Sequence, residues 1–304
     1  MENPYNTILA GRVVQGVGAA GTAPIVMALL GDVFQSQQRS EVLGIIEAAN
    51  GVGKVVSPIL GAAIGLISWI ALFFTYAALS VPVAAGMYFW GIEKKSQSQQ
   101  NLGQYTTSLK KLFHKKGIPL IMAMLAGMLV LFVLFGILAF FSDYIENKFD
   151  IKGFVKGLVI AIPILFMSTT SYFNGRYLKS KNKGFKISIL IGLFLLPLSL
   201  ITLNFVNTLV IYLVFFSILG IGTGLTLPAV NTLVTSSIDT GQRGIITSLY
   251  GSARFAGVAI GPPVFSYLEE ISQTAMYFGG GIISIVVLIL AFFFLSEKGM
   301  IPRE

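Results

Sequence analysis

Two stretches of the chain, GVGAAGTAP at residues 16–24 and GIGTGLTLP at residues 220–228, are copies of one pattern. A shift of 204 residues, which places residue 16 on residue 220, aligns them without a gap and stays in register through the next segment. The matched pairs are Gly16 and Gly220, Gly18 and Gly222, Thr22 and Thr226, Pro24 and Pro228, Arg39 and Arg243, Gly53 and Gly257, and Pro58 and Pro262. A duplicated unit of this length predicts two structurally related halves with the same orientation.

The composition places both halves in a membrane. Of the 304 residues, 55% are hydrophobic and 11% are charged, with a mean hydropathy of +0.81, whereas about a quarter of the residues of a soluble domain are charged. Because a helix needs about 20 mainly apolar residues to cross a bilayer, we predict an all-α membrane protein. The predicted helices lie near 6–31, 41–66, 69–92, 118–142, 154–174, 185–204, 208–234, 243–268 and 272–296.

The basic residues between these helices predict the orientation. The connection 93–117 holds six lysines and the connection 175–186 holds five lysines or arginines, whereas alternate connections carry carboxylates such as Asp150 and Glu269. Positive residues are retained on the cytoplasmic side, so both basic connections are predicted to be cytoplasmic. The net charge of +8 then reflects membrane topology, and we expect the lipid bilayer rather than nucleic acid as the partner.

The repeat also predicts a domain organisation. Residues 118–304 hold six predicted helices, and the fourth and fifth of these match the first and second helices of the chain. Residues 1–92 would then hold only the fourth to sixth helices of their half, and 93–117 would be a cytoplasmic linker. Three further spans and their loops would need about 85 residues ahead of Met1 and give a full chain of about 390 residues.

Residues in the duplicated segment resemble motifs of the major facilitator superfamily. ILAGRVVQGVGAA at residues 8–20 is similar to the fourth-helix motif, through Arg12, Gln15, Gly16, Gly18, Ala19 and Ala20. The next helix resembles the fifth-helix motif of drug:proton antiporters through Gly44, Gly53, Ser57, Pro58, Gly61 and Ala62, although Ser57 and Ala62 stand where that motif has glycine. Gly175 to Lys186, which includes Arg176, resembles a degraded form of the family's basic loop, with Lys179 where the motif has aspartate.

The resemblance implies two six-helix halves that rock around a central site and export drug-like or amphipathic molecules in exchange for protons. Two alternatives are a carrier of a sugar, metabolite or lipid precursor in the same fold, and a non-transporting fragment. We expect a multi-pass protein of the bacterial plasma membrane that acts as a monomer on a small-molecule substrate. Arg39 and Arg243, which the repeat matches, are predicted to lie in two equivalent cytoplasmic loops.

Small residues and prolines are predicted to shape the contacts between helices. In lipid, close helix packing depends on small side chains, and a proline within a helix allows a kink that neighbouring groups must compensate. The predicted packing and hinge positions are Gly16, Gly18, Gly53, Ser57, Pro58, Gly61, Gly257, Gly261 and Pro262. Each glycine could equally serve simple packing.

Charged residues inside predicted spans are the main indication of a transport pathway, because each costs several kcal/mol unless it faces a cavity or a partner. Arg12, Glu47, Lys54 and Arg254 are of this kind, and Gln15 and Asn50 share their faces. Lys54 and Arg254 could line a cavity or pair within the bundle. Glu47 could carry protons or extend its carboxylate toward the cytoplasmic end.

The sequence does not indicate an enzyme, a cofactor or a metal site. GVGKVVS at residues 51–57 differs from a phosphate-binding loop, since that motif needs glycine where Ala48 stands and serine or threonine where Val55 follows the lysine. There is no cysteine, and the single histidine, His114, lies among lysines. A thiolate or paired-histidine metal site is therefore excluded.

Overall fold

The computed structural model describes residues 4–34, 36–68, 70–90, 102–181, 184–237, 240–298 and 300, and the fold is formed by α-helices. The helices in this part of the chain are α1 (Pro4–Val33), α2 (Ser36–Gly65), α3 (Ala71–Trp90), α4 (Leu102–Phe149), α5 (Gly153–Lys181), α6 (Phe185–Leu203), α7 (Leu209–Ser236), α8 (Thr240–Ile271) and α9 (Gln273–Phe294). The all-α prediction is confirmed, and each predicted segment overlaps one of these helices.

Seven helices in the described part of the chain are long and apolar enough to cross a membrane by length and composition: α2 to α7 and α9. This supports an integral, multi-pass membrane protein. Helix α8 is not among the seven, and it carries four charged residues, Arg243, Arg254, Glu269 and Glu270. The count of nine spans therefore stays a prediction.

The helix boundaries follow the sequence repeat. Helices α2 and α8 begin at Ser36 and Thr240, and helices α3 and α9 end at Trp90 and Phe294, so both pairs of boundaries are separated by the 204-residue offset. This agreement supports the prediction of two related halves, which we call the first half (α1–α3) and the second half (α4–α9).

Helix α4 begins earlier than predicted. The sequence predicts a linker over residues 93–117, but residues 102–117 are helical and continuous with the membrane segment, while residues 93–101 lie outside the described residues. The physical reason is visible in the sequence, because Leu109, Leu112 and Phe113 recur at helical spacing among lysines. This segment has a lower hydropathy than a membrane span, so hydropathy alone does not identify it as helical.

The second half contains most of the core. Helices α7 to α9 pack against α4 to α6, and the aromatic rings of Phe141 and Tyr212 stack with centroids 5.3 Å apart. The first half is held differently, because α1 to α3 touch one another little while α2 packs along α5 and α7 and α1 packs on α8. The first half is therefore held in place mainly by its contacts with the second half.

The orientation can be tested by labelling, because the chain has no cysteine of its own. Gln99→Cys lies in the connection with six lysines, and Asn147→Cys lies near the end of α4 beside Glu146 and Asp150. We expect a membrane-impermeant thiol reagent added to intact cells to label Asn147→Cys only. Labelling of Gln99→Cys from outside would reverse the orientation.

Candidate functional site

The two halves touch most closely where α2 crosses α5. A methyl group on Gly44 would lie 2.8 Å from the Cα of Gly175, and a methyl group on Gly175 would lie equally close to the Cα of Gly44. Only glycine on both helices allows the backbones to approach this far. We call this end of the bundle, where α2 begins, α5 ends and α8 begins, the basic end, and it is the end predicted to be cytoplasmic.

The arginines matched by the repeat converge at the C-terminus of α7. Arg243 donates from Nε to the carbonyl oxygen of Thr235 at 3.0 Å, and Arg39 donates from Nη1 to the same oxygen at 3.3 Å and to Ser236 Oγ at 3.0 Å. Arg39 also donates from Nη2 to the carbonyl oxygen of Phe34, just after α1, at 3.1 Å. Both guanidinium groups are buried, and they link the ends of α1 and α7.

A second link at the basic end is ionic. Glu41 of α2 accepts a charge-assisted hydrogen bond from Lys179, and its other oxygen lies 3.6 Å from Nε of Arg176. Lys179 and Arg176 lie on α5, in the segment that resembles the family's basic loop. The lysine that replaces the motif's aspartate is therefore paired with a carboxylate on the opposite half.

A buried ion pair lies farther along α2 from the basic end. Glu47 is fully buried, and its Oε1 lies 2.8 Å from Nη1 of Arg254 on α8, whose side chain is 10% exposed. Asn231 of α7 donates to the same carboxylate oxygen at 2.9 Å, and its own oxygen lies 3.4 Å from Arg254 Nη1. Glu47 Oε2 has no hydrogen-bond partner within the described part of the chain. The pair therefore joins the two halves.

A cavity of about 810 Å³ lies directly above this pair, between the halves. Arg254 and Lys54 contribute its charged groups, Asn50 and Ser57 contribute polar groups, and Phe135 of α4 contributes an aromatic wall. Lys54 Nζ lies 5.6 Å from the centroid of the Phe135 ring, within the range of a cation–π contact. A volume of this size accommodates a small organic molecule.

The halves diverge beyond the cavity. Along α2, Leu43 is fully buried and Val55 is 8% exposed, but Leu60 is 44% exposed, and Leu66, just after the helix, is 86% exposed. Helix α1 shows the same change, from Met27 at 2% to Val14 at 73%. The contact between halves is therefore concentrated at the basic end.

The structure places the predicted pathway residues in two groups. Glu47, Asn50, Lys54 and Arg254 meet at the ion pair and the cavity, so the two readings of Arg254 both apply: it lines the cavity and it pairs within the bundle. The structure puts the Glu47 carboxylate inside the bundle rather than at the cytoplasmic end. Arg12 and Gln15 form the second group on the exposed part of α1.

Arg12 and Gln15 lie away from the cavity. Arg12 donates to Gln15 Oε1 at 2.9 Å, and its guanidinium carbon lies 5.3 Å from the ring centroid of Phe73 on α3. Among the described residues, the contacts of Arg12 are therefore on α1 and α3 and not with Glu47. Their part in a pathway stays a prediction.

The predicted packing glycines also divide by half. Methyl groups on Gly257 and Gly261 of α8 would overlap the carbonyl oxygens of Met128 and Phe132, so these glycines let α8 lie directly on α4. Pro262, inside α8, follows this contact. The remaining glycines, Gly16, Gly18, Gly53 and Gly61, have no atom of the described residues within 4 Å of an added methyl group, and the side chain of Pro58 lies outside the described residues.

Asn231 is the site residue that sequence reasoning missed. It lies in α7 among apolar and threonine residues and is fully buried. A buried asparagine deep in a predicted span needs a polar partner, and this requirement is the signal that could have identified it.

Comparison with known proteins bears on the whole chain. Residues 1–262 match the family model described as Major Facilitator Superfamily. The bacillibactin exporter of Bacillus subtilis (strain 168) is 40% identical over 302 residues, which cover 98% of this chain and 75% of that protein. The class E tetracycline resistance protein of Escherichia coli is 25% identical over 307 residues, with 93% of this chain and 71% of that protein covered.

A solved structure supports the fold independently. The human organic anion transporter MFSD10 (TETRAN) superposes with a TM-score of 0.76 at 18% identity, covering 94% of this chain and 71% of that protein. At this identity the likeness concerns the arrangement of helices alone.

Proposed function

The chain belongs to the major facilitator superfamily, and we propose that this membrane transporter exports a small amphipathic molecule from bacterial cells in exchange for protons. The observation that carries the proposal is the position of the buried pair between Glu47 and Arg254, which joins the two halves at the floor of a cavity about 810 Å³ in volume. Export as the direction is supported by the 40% identical relative, which is a bacillibactin exporter.

The arrangement of contacts suits alternating access. The halves meet at the basic end through the glycine crossing, the arginines at Thr235 and the pair between Glu41 and Lys179. If the basic end is cytoplasmic, the described conformation is closed to the cytoplasm, with its cavity on the outer side of the closure. Export then requires the halves to part at the basic end and to meet at the other.

We infer that Glu47 is the proton carrier. Its Oε2 has no partner in the described part of the chain, so it has room for a proton, while its Oε1 holds Arg254. Protonation would remove the negative charge that offsets Arg254, and an uncompensated buried charge is unfavourable. The link between the halves would weaken, and the proton on Glu47 would be coupled to the rocking motion.

The experiment is efflux from cells or proteoliposomes that contain the chain joined to three further helices that complete its first half, with the chain alone as the comparison. Bacillibactin is the first compound to test because the 40% identical relative exports it, and a set of amphipathic drugs follows. We expect efflux above the level of empty membranes that stops when a protonophore removes the proton gradient. Efflux that persists with the protonophore would contradict proton coupling and favour a metabolite carrier, and no movement of any compound would favour a non-transporting fragment.

We also propose that α1 to α3 are three helices of a six-helix half. In the second half, α7 to α9 are held mainly by α4 to α6, and the first half has no equivalent of α4 to α6 among the described residues. The exposed outer part of α1, which carries Arg12, fits a face that three further helices would cover. A charge left facing lipid costs several kcal/mol.

Limited digestion of the chain in detergent tests this proposal. Because the first half lacks most of its packing partners, we expect cleavage within 93–117 and loss of the first half, followed by survival of a second-half core of about 20 kDa from the 32.7 kDa chain. Mass spectrometry of the surviving fragments identifies the core. Equal persistence of both halves would contradict the proposal of an incomplete first half.

A further inference from the structure

The charges around the cavity are unbalanced. Among the described residues that line it, the charged side chains are Lys54 and Arg254, and no carboxylate is among them. The nearest carboxylate, Glu47, is fully buried behind the wall and is occupied by Arg254 at 2.8 Å. The two cationic side chains have one carboxylate between them, so one positive charge is not neutralised by the described residues.

Lys54 is the source of that positive charge. Its ammonium group contacts the face of Phe135 at 5.6 Å from the ring centroid, and no ion pair of Lys54 is formed with the described residues at salt-bridge distance. A ring face offsets an ammonium charge by about 0.5–2 kcal/mol, less than a carboxylate provides in a site of low dielectric constant. An anion entering the cavity would complete the compensation.

The rest of the wall fits the body of an organic molecule. Phe255 and Tyr76 add aromatic surface, Leu134 and Val258 add aliphatic surface, and Asn50 provides a polar group near Lys54. Apolar walls with a few polar groups are typical of sites that bind small organic ligands. The cavity thus offers one cationic anchor within a largely apolar surface.

We propose that the transported molecule is an organic anion with an aromatic or otherwise apolar body, and that Lys54 binds its negative group. The proposal rests on the proposed function and names its substrate class. It also excludes cationic drugs as good substrates, because a cation would meet Lys54 with no carboxylate free to receive it. Arg254 stays with Glu47 in this conformation and contributes less to binding.

Binding of three compounds tests the proposal, because they share the pyrene ring and carry one small substituent of different charge: pyrene carboxylate, pyrene methanol and pyrene methylammonium. Fluorescence anisotropy is measured on the purified chain in non-ionic detergent without a proton gradient. We expect the carboxylate to bind about tenfold tighter than the alcohol, the ratio that one charge-assisted contact supplies, and the methylammonium to bind more weakly than both.

Three variants assign the effect. Lys54→Gln should remove the preference for the carboxylate while leaving the alcohol unchanged, and Lys54→Arg should keep the preference. The control is Lys152→Gln, at a lysine that is 63% exposed and outside the cavity, and it should bind all three compounds as the unaltered chain does. If Lys54→Gln does not fold, the unaltered chain and Lys54→Arg still decide the outcome.

Equal affinity for the three compounds, or tighter binding of the methylammonium, would overturn the proposal. So would a carboxylate preference that survives in a folded Lys54→Gln chain. Because binding is measured without transport, a chain that prefers the carboxylate but exports nothing would contradict the proposed function and leave the substrate class standing.

Discussion

Replacing Glu47 with glutamine is expected to lower the free energy of unfolding by about 3 kcal/mol and to abolish proton-driven efflux. Removing one partner of a buried ion pair costs about 3–5 kcal/mol, and the lower end applies because Arg254 reaches the cavity. The amide keeps the shape of the side chain and can still accept from Asn231, but it cannot accept a proton near neutral pH. Unfolding in denaturant and efflux at equal protein level measure the two effects.

Two further variants separate the ion pair from general disruption. In the double variant Glu47→Gln/Arg254→Gln neither charge is left alone, so we expect much of the lost stability to return while efflux stays absent. The matched control is Glu41→Gln, which removes a carboxylate from the same helix that also pairs with the second half. Its side chain is 23% exposed, and we expect a much smaller loss of stability than for Glu47→Gln, because solvent-accessible ion pairs contribute little.

Either of two results would count against this account. Proton-coupled efflux by Glu47→Gln would show that the proton travels by another group. Additive losses in the double variant would show that Glu47 and Arg254 do not stabilise each other.

Gly44→Ala is expected to reduce efflux about tenfold, whereas Gly53→Ala on the same helix should leave it nearly unchanged. The added methyl group at Gly44 would lie 2.8 Å from the Cα of Gly175, and backbone cannot move aside as a flexible side chain can. Overpacking costs about 1–3 kcal/mol, and 1.4 kcal/mol corresponds to a factor of ten. At Gly53 no described atom lies within 4 Å.

The closure at the basic end can be measured directly in the cysteine-free chain. Glu41→Cys and Lys179→Cys lie on α2 and α5, and a short thiol cross-linker should join them efficiently in the unaltered background. Gly44→Ala should slow this reaction because it separates the two helices, and Gly53→Ala should not. Equal effects of the two substitutions on efflux and cross-linking would point to helix propensity, which alanine raises at either position.

The helices could be predicted from the sequence because an apolar run long enough to cross a bilayer is typical of a membrane-spanning helix. The boundary of α4 could not, since its first turns, with Leu109 and Leu112 among lysines, are amphipathic and fall below the hydropathy of a span. Hydropathy identifies only those helical segments that contact lipid. A helix that leaves the membrane has to be found from its period.

The depth of the ion pair in the membrane follows from the sequence, but the pairing itself does not. The repeat places Arg39 and Arg243 at the same depth, and Glu47 lies eight residues after the first while Arg254 lies eleven after the second. Three residues correspond to about 4.5 Å along a helix, within reach of an arginine side chain. Depth does not show which face of each helix points toward the other, because the facing sides of α2 and α8 depend on the packing of the whole bundle.

The glycines show the same limit. Gly257 and Gly53 occupy matched positions in the repeat, yet Gly257 lies against α4, whereas Gly53 borders the cavity and no described atom lies within 4 Å of an added methyl group. Sequence spacing identifies a helix face that could pack closely, and only the neighbouring helix decides whether it does. The same residue type therefore has two different uses in the two halves.

The hydrogen bonds that the arginines at Thr235 form between the halves can be broken at a low cost in free energy when the basic end opens. Arg243 binds the Thr235 carbonyl oxygen within its own half, and Arg39 keeps the carbonyl oxygen of Phe34 within its own half. The bonds from Arg39 to Thr235 and Ser236 cross between the halves. When the halves part, each guanidinium group keeps its hydrogen bond within its own half, and water can replace the hydrogen bonds between the halves. The basic end can therefore open and close reversibly in every transport cycle.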